Sequence, residues 1–127
     1  MDDAAHTLGT RFYSALLAGA WPAIRALLHD DATWTLPGDN SVSGTAAGAD
    51  AVIAQLQKVA GYGVHFELLH ILTSREHMAL SQHNTARRNG HVVLDEHLAT
   101  VFRLRDGRIA EAETFASDVP GMNAFFI

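Results

Sequence analysis

The chain has 127 residues, a length that fits one compact domain. Its 48% apolar and 18% charged residues supply enough hydrophobic side chains for a buried core, which excludes a disordered chain. Nine basic residues against fourteen acidic ones give a net charge of -5, which argues against a nucleic-acid-binding protein because binding needs a basic surface to neutralise phosphates.

The N-terminal segment predicts two helices. Apolar residues recur at every fourth position in residues 4–19, which is typical of an amphipathic helix with the buried stripe Leu8, Phe12 and Leu16. Trp21-Pro22 begins a second, shorter helix, because proline is well tolerated in a first helical turn. This helix is expected to end near residues 29–31.

A strand, a loop and a third helix follow. Residues 32–36 predict a short strand that ends at Pro37-Gly38. Residues 38–48 are rich in Gly, Ser, Asn and Thr and are therefore expected to form a loop. Residues 49–60 predict the third helix, and Gly61-Tyr62-Gly63 ends it. The loop and this glycine pair are hinge-like, so they form either a lid or simple connectors.

The C-terminal half predicts strands, because the apolar period falls from about 3.6 to about 2. Four strands are expected at residues 64–73, 77–87, 92–104 and 109–116. Short turns at residues 74–76, 89–90 and 106–107 join them into an antiparallel meander. Asp118 then caps a last short helix.

Helices followed by an antiparallel sheet indicate an α+β domain, since the apolar face of the sheet needs helices to cover it. Six segments together form a recognisable pattern by their order and spacing: residues 12–19, 27–34, 37–38, 43–44, 48 and 101–109. This pattern resembles the SnoaL-like and ketosteroid-isomerase-like branch of the NTF2-like superfamily. The resemblance implies one domain over residues 1–127. It also implies a cone in which a curved antiparallel sheet packs against three N-terminal helices and a short C-terminal helix, and encloses a pocket.

Strand alternation predicts which polar side chains face that pocket. In the strand 92–104, Glu96 and Thr100 lie an even number of positions from the apolar residues and so share their parity, that is, their face of the strand. Gln82 and Asn84 share the apolar face of the preceding strand in the same way. If the turn after Asn89 has three residues, Asn84 lies opposite Glu96. A carboxylate in an apolar cavity has a raised pKa and suits general acid or base work, so Glu96 is the first candidate catalytic residue.

His70 is the second candidate catalytic residue. It shares the parity of the apolar residues in its strand, but the opposite face carries Leu69 and Ile71, so its inward direction is conditional. A matching hairpin would set His70 beside Leu80. For both Glu96 and His70 the alternative is that the side chain is paired, reaches solvent at the mouth of the cone, or is turned outward by a bulge.

The predicted substrate-binding set joins these inward polar residues to apolar residues of the helices and the short strand. Trp34 is its most suggestive member, whereas Leu16, Val52 and Leu56 are better explained as ordinary core. The small residues Ala112 and Ala116 on the last strand leave volume for a cavity. The set is Phe12, Leu16, Trp34, Leu36, Val52, Leu56, Gln82, Asn84, Leu98, Thr100 and Thr114.

The outward parity places Asp95, His97 and His83 together on the other face of the sheet. These residue types can bind metals, but no metal site is predicted. The resemblance implies a homodimer through this outer sheet face, and hydrogen bonding across a two-fold interface is the commoner role of such residues.

Some positions depart from enzymes of the resembled superfamily. Leu36 stands where its steroid isomerases have a catalytic Asp, Phe12 where they have an oxyanion-hole Tyr, and Thr100 where they have a second acid. Arg103 has outward parity, so the Asp-Arg-Asp arrangement of the limonene epoxide hydrolases has no counterpart. Neither mechanism is therefore expected.

The sequence thus predicts a homodimeric enzyme that performs cofactor-free acid/base chemistry on a largely apolar small molecule, such as a polyketide-like or terpenoid intermediate. The reaction would be an isomerisation, cyclisation, dehydration or epoxide opening. The alternatives are a non-catalytic ligand-binding protein and a dimerisation module with a filled interior. A cytoplasmic location without membrane contact is expected, because Met1-Asp2-Asp3 is acidic where a signal peptide is basic, and no apolar run is long enough to span a bilayer.

Overall fold

A computed structural model describes residues 3–127 and has the expected α+β architecture. Four helices and six strands follow one another as α1 (Ala4–Ala18), α2 (Trp21–Leu27), β1 (Leu28–Leu36), β2 (Gly44–Ala47), α3 (Ala49–Ala60), β3 (His65–Thr73), β4 (His77–Arg88), β5 (His91–Arg105), β6 (Arg108–Ala116) and α4 (Val119–Phe125). The longest helix has 15 residues, and within residues 3–127 no helix is long and apolar enough to cross a membrane.

The strands form one sheet in the order β2-β1-β6-β5-β4-β3. Strands β3 to β6 are the predicted antiparallel meander. The short strand β1, whose pairing the sequence did not specify, runs parallel to β6 with Trp34 opposite Ala112, so the six-stranded sheet as a whole is mixed. The connection from β1 to β6 contains a helix and several strands, which is long enough for the chain to return in the same direction.

Two segments differ from their predicted local structure. Residues 28–31, expected to end α2, begin β1, and residues 44–47, expected to be loop, form β2. Distant parts of the chain cause both changes: Asp31 pairs with Arg105 at 2.9 Å, and the hydroxyls of Thr35 and Thr45 lie 2.8 Å apart across β1 and β2. Hydrogen bonds to neighbouring strands therefore outweigh the local preference in these segments.

The core lies between one face of the sheet and the helices. Helix α1 packs on β3 and β4, α3 on β1 and β2, and α4 on β5. Phe12 of α1, Trp34 of β1 and Phe102 of β5 meet at its centre, with ring centroids 5.1 to 5.6 Å apart. Tilted and edge-to-face contacts of this kind add to the stabilisation from burial. This aromatic cluster positions the inner face of β5, on which the candidate site lies.

Candidate functional site

A cavity of about 60 Å³ lies between the inner face of the sheet and helices α1, α3 and α4. The structure places most of the predicted set in its wall: Phe12, Leu16, Trp34, Leu36, Leu56, Gln82, Asn84, Glu96, Leu98, Thr100 and Thr114. Val52 is fully buried but belongs to the core rather than to the cavity wall. The wall is largely apolar, with a few polar groups on β4, β5 and β6.

The size of the cavity limits what it can hold. A volume of about 60 Å³ accommodates a few water molecules or part of one ring. Sites for drug-sized ligands are typically about 300 Å³ or larger. A ligand with one or more complete rings therefore requires the wall to move outward.

Among residues 3–127, Glu96 is the one carboxylate in the wall of this cavity, and it is 2% exposed. Its Oε1 accepts a hydrogen bond from the Asp118 N–H at 2.9 Å and a longer one from the Ser117 hydroxyl at 3.4 Å. Its Oε2 accepts no hydrogen bond from residues 3–127 and lies against Gly121, where a Cβ would come within 3.3 Å of it. One oxygen thus fixes the carboxyl group, and the other is left for a proton or a ligand.

Burial raises the pKa of Glu96 above that of an ordinary glutamate. The hydrogen bonds from the Asp118 N–H and the Ser117 hydroxyl lower this pKa, but by less than burial raises it, and the nearby carboxylate of Asp118 adds to the rise. A carboxyl group with a raised pKa is a better base when ionised and is more often protonated near neutral pH. Both properties suit proton transfer.

Asn84 lies directly opposite Glu96 on β4, as the strand register predicted. It is 7% exposed, and its Oδ1 is enclosed without a hydrogen-bond partner among residues 3–127. Gln82, half-buried, lies two pairs further along the same two strands, opposite Leu98 and on the same face of the sheet. These side chains and Glu96 form the polar end of the cavity.

A second polar group lies further along β5. Thr100 and Thr114 face each other on β5 and β6, with their hydroxyl oxygens 2.9 Å apart, and Trp34 Nε1 donates to Thr114 Oγ1 at 3.0 Å. The two hydroxyls have two hydrogens between them, and their mutual bond uses one. The other has no acceptor among residues 3–127, so this pair can donate one hydrogen bond to an oxygen in the cavity.

His70 does not face the cavity, and its expected inward position is wrong. A bulge at Leu69 shifts the register of β3 against β4, so that His70 pairs with Ser81 and Ile71 takes the place beside Leu80. His70 is therefore exposed on the outer side of the sheet. An extra residue in one strand reverses the direction of every side chain beyond it, and strand alternation alone does not locate it.

Helix α4 supplies cavity residues that strand alternation did not identify. Met122 and Phe126, which lie near the C-terminus of the chain, close the cavity together with Val42 from the β1–β2 loop. Asn123 Oδ1 holds this loop against α4, accepting from the Asp39 N–H and from the Asn40 side chain, both at 2.8 Å. The other lining residues outside the predicted set are Val59, Phe66 and Leu94. The apolar end of the chain was visible in the sequence, but its packing position was not.

On the outer face, His83, Asp95 and His97 present ligand atoms within 4.8 Å of one another. His83 Nε2 is 2.6 Å from Asp95 Oδ1, its Nδ1 is 3.6 Å from Glu67 Oε1, and its ring stacks on His97 with centroids 4.4 Å apart. The hydrogen bond to Asp95 raises the pKa of His83, and Glu67 contributes in the same direction. The contacts of the His83 ring with these two carboxylates account for the arrangement of this cluster.

These contacts predict a pH-dependent contribution to stability. Because the pKa of His83 is raised in the folded state by Asp95 and Glu67, its charged form stabilises the fold below the unfolded pKa, and the contribution is lost as pH rises through the folded value. His83→Gln should therefore lower the melting temperature at about pH 5.5 and have a much smaller effect at about pH 9. Calorimetry of both proteins at the two pH values tests this, and equal losses at both would contradict it.

A family model described as SnoaL-like domain matches residues 10–112. Bal32a from a soil-derived mobile gene cassette is 26% identical with a TM-score of 0.89, covering 98% of this chain and 100% of that chain. An NTF2-like protein of unknown function from Burkholderia pseudomallei is 22% identical (TM-score 0.84, 98% of each chain), and TerC, co-crystallised with polyporic acid, is 14% identical (TM-score 0.83, 98% of each chain). No curated protein matches the chain.

Proposed function

Since the chain belongs to the SnoaL-like domain family, we propose that it is a small-molecule enzyme that uses its own side chains for acid/base chemistry on a largely apolar organic molecule. The ligand would be an intermediate of the polyketide or terpenoid type, and the reaction an isomerisation, cyclisation, dehydration or epoxide opening. TerC, which has been crystallised with polyporic acid, has the same fold, and this supports an organic ligand.

The observation that carries the proposal is the position of Glu96. It is a carboxyl group in an apolar wall, held through one oxygen by the Asp118 N–H and the Ser117 hydroxyl, without a cationic partner among residues 3–127. Burying an ionisable group in this way costs free energy that a Gln or Leu at the same position would not. Such groups are concentrated at functional sites.

In the proposed mechanism each polar group has a separate task. Glu96 removes a proton from the ligand or returns one to it, using Oε2, which accepts no hydrogen bond from residues 3–127. The free hydroxyl hydrogen of Thr100 or Thr114 binds a ligand oxygen further along β5 and fixes the orientation of the ligand. Phe12, Trp34 and Leu98 exclude water and pack on the apolar part of the ligand.

A non-catalytic role rests on a different observation. The cavity of about 60 Å³ is small for a substrate site, which favours a domain that holds a small ligand without changing it or that fills its interior with its own side chains. Measurement of binding and turnover separates these functions: a binding protein would retain affinity without turnover, and a filled dimerisation module would show neither.

We expect apolar one-ring ligands to quench the fluorescence of Trp34. Trp21→Phe leaves Trp34 as the single tryptophan and serves as the background. In that background Val59→Phe, which fills the cavity from α3, should weaken binding at least tenfold because over-packing removes the ligand volume. Ala51→Phe, at an exposed position of the same helix, is the matched control. Unchanged fluorescence at saturating ligand would contradict a ligand-binding pocket.

We propose in addition that the outer sheet face forms a homodimer. Phe115 and Val101 are 52% and 37% exposed there, and Ala99 lies beside Phe115. Arg103 and Glu111 flank this apolar patch, so that a two-fold axis can bring the arginine of one copy near the glutamate of the other. The patch therefore has both an apolar centre and self-complementary charge.

Light scattering at tens of micromolar protein should report about twice 13.7 kDa, since the dissociation constants of stable dimers lie well below such concentrations. Phe115→Glu should yield a monomer, because it places a charge in the centre of the apolar patch. Leu17→Glu, at a 60% exposed position of α1, is the control and should leave the dimer intact. A monomeric unaltered protein under these conditions would refute the dimer.

A further inference from the structure

Asn84 is a buried polar group that the fold itself does not use. It is 7% exposed, its Oδ1 is enclosed, and that oxygen accepts no hydrogen bond from residues 3–127. Buried acceptors in folded proteins are nearly always paired with protein or with water. An apolar residue of similar size would pack at this position without an unpaired oxygen.

The neighbours of Asn84 define the kind of partner that it lacks. On β3 it lies opposite Phe66, and on β5 opposite Glu96, so an aromatic ring flanks it on one side and a carboxyl group on the other. All three side chains line the cavity. A hydrogen-bond donor attached to a largely apolar molecule in the cavity would supply the partner that this oxygen lacks.

We infer that the ligand of this cavity is a ring compound with a hydroxyl group, phenolic or enolic, that donates to Asn84 Oδ1 beside Glu96. The inference rests on the proposed function and adds to it the class of ligand. Asn84 is then a specificity-determining residue. It selects hydroxylated rings over hydrocarbons and over ethers or ketones, which only accept hydrogen bonds.

The inference explains why an asparagine occupies a site where its oxygen accepts no hydrogen bond from residues 3–127. A site built to pair with a ligand hydroxyl discriminates strongly against analogues without it, because the polar group of the protein is then left unpaired. The hydroxyl would also lie next to Glu96, where a proton can be exchanged with the ligand.

Three one-ring probes of similar size test the inference by NMR titration. They are para-ethylphenol, which donates a hydrogen bond, para-ethylanisole, which only accepts, and ethylbenzene, which does neither. The unaltered protein should bind the phenol about tenfold more tightly than either of the other two, the effect of one well-made hydrogen bond to an enclosed acceptor.

Substitutions at Asn84 assign the preference to its oxygen. Asn84→Leu should abolish the preference for the phenol, retain affinity for ethylbenzene and raise the melting temperature, because the unpaired oxygen is gone. Asn84→Asp keeps an acceptor of the same shape and should keep the preference, which covers the case that the leucine variant does not fold. Thr85→Val, on the outer side of the same strand, is the matched control and should bind like the unaltered protein.

The outcomes separate this inference from the proposed function. Equal affinities for the three probes, tighter binding of the anisole, or an unchanged preference in a folded Asn84→Leu variant would overturn the inference alone, with the pocket still in place. A folded protein that binds none of the probes would contradict the proposed function and, with it, the inference. A preference for the phenol that is lost in Asn84→Leu and kept in Asn84→Asp supports both.

Discussion

Glu96→Gln is expected to lower proton-transfer catalysis about 100-fold or more, the usual contribution of a general acid or base. The glutamine keeps the size of the side chain and an oxygen that can accept from the Asp118 N–H, so packing is preserved. The carboxyl group that takes up or gives a proton is lost. A suitable probe is nitrobenzisoxazole, whose two fused rings require the cavity wall to move outward. When a base removes its ring C–H proton, the N–O bond breaks and a coloured cyanophenolate forms. Initial rates of colour formation measure the base directly.

The controls for this prediction separate chemistry from binding. Affinity for the probe should change much less than turnover, since Gln fills the same volume. His70→Gln, at an exposed position on the outer side of the sheet, should leave the rate unchanged. If Glu96→Gln retains the full rate of the unaltered protein, Glu96 is not the base, and the chemistry belongs to another group.

Phe102→Ala should destabilise the fold by about 3–5 kcal/mol, the range for removing a fully buried aromatic ring. Phe102 is 0% exposed, and its ring contacts both Phe12 and Trp34, so its loss leaves a cavity that the strand cannot close. A domain of this size has a total stability of about 5–15 kcal/mol, so the variant would approach the threshold of unfolding. Urea denaturation followed by circular dichroism gives the free energy of unfolding.

Two further variants calibrate the effect of Phe102→Ala. Phe102→Leu keeps most of the buried volume and should cost clearly less than the alanine. Leu72→Ala removes a 60% exposed side chain on β3 and should change stability by no more than about 0.5 kcal/mol. A loss below about 1 kcal/mol for Phe102→Ala would show that the aromatic cluster does not stabilise the core as argued.

The inner face of β5 could be predicted because strand alternation depends only on the local backbone. Successive side chains of a strand point to opposite faces, so the apolar parity of Leu94, Leu98 and Phe102 carries Glu96 and Thr100 inward with it. The pairing of Asn84 with Glu96 was also predicted, but it arises from a two-residue turn, in which Arg88 pairs with His91, and from a bulge in β5 at Val93, and not from a three-residue turn. Most of the cavity wall follows from these two facts and from the stripe of α1.

His70, residues 28–31 and α4 show where local pattern was insufficient. The bulge at Leu69 reverses the side chains of β3, and the apolar residues on both faces of that strand gave no sign of it. Residues 28–31 are extended because Leu28 pairs with Ile109 of β6, about 80 positions further along the chain, and Asp31 binds Arg105 of β5. The position in which α4 closes the cavity depends on the hydrogen bonds between Asn123 and the β1–β2 loop. The rest of the fold brings these two segments together.

The sequence by itself determined the α+β class, the meander of β3 to β6, and the carboxyl group that faces the interior, because helix and strand periodicities are properties of the local chain. Only the tertiary structure decided that β1 pairs in parallel with β6, that His70 points outward, and that the cavity is closed by α4. Each of these depends on hydrogen bonds or apolar contacts between distant segments, whose free energy exceeds the small local preferences and is not encoded at any one position.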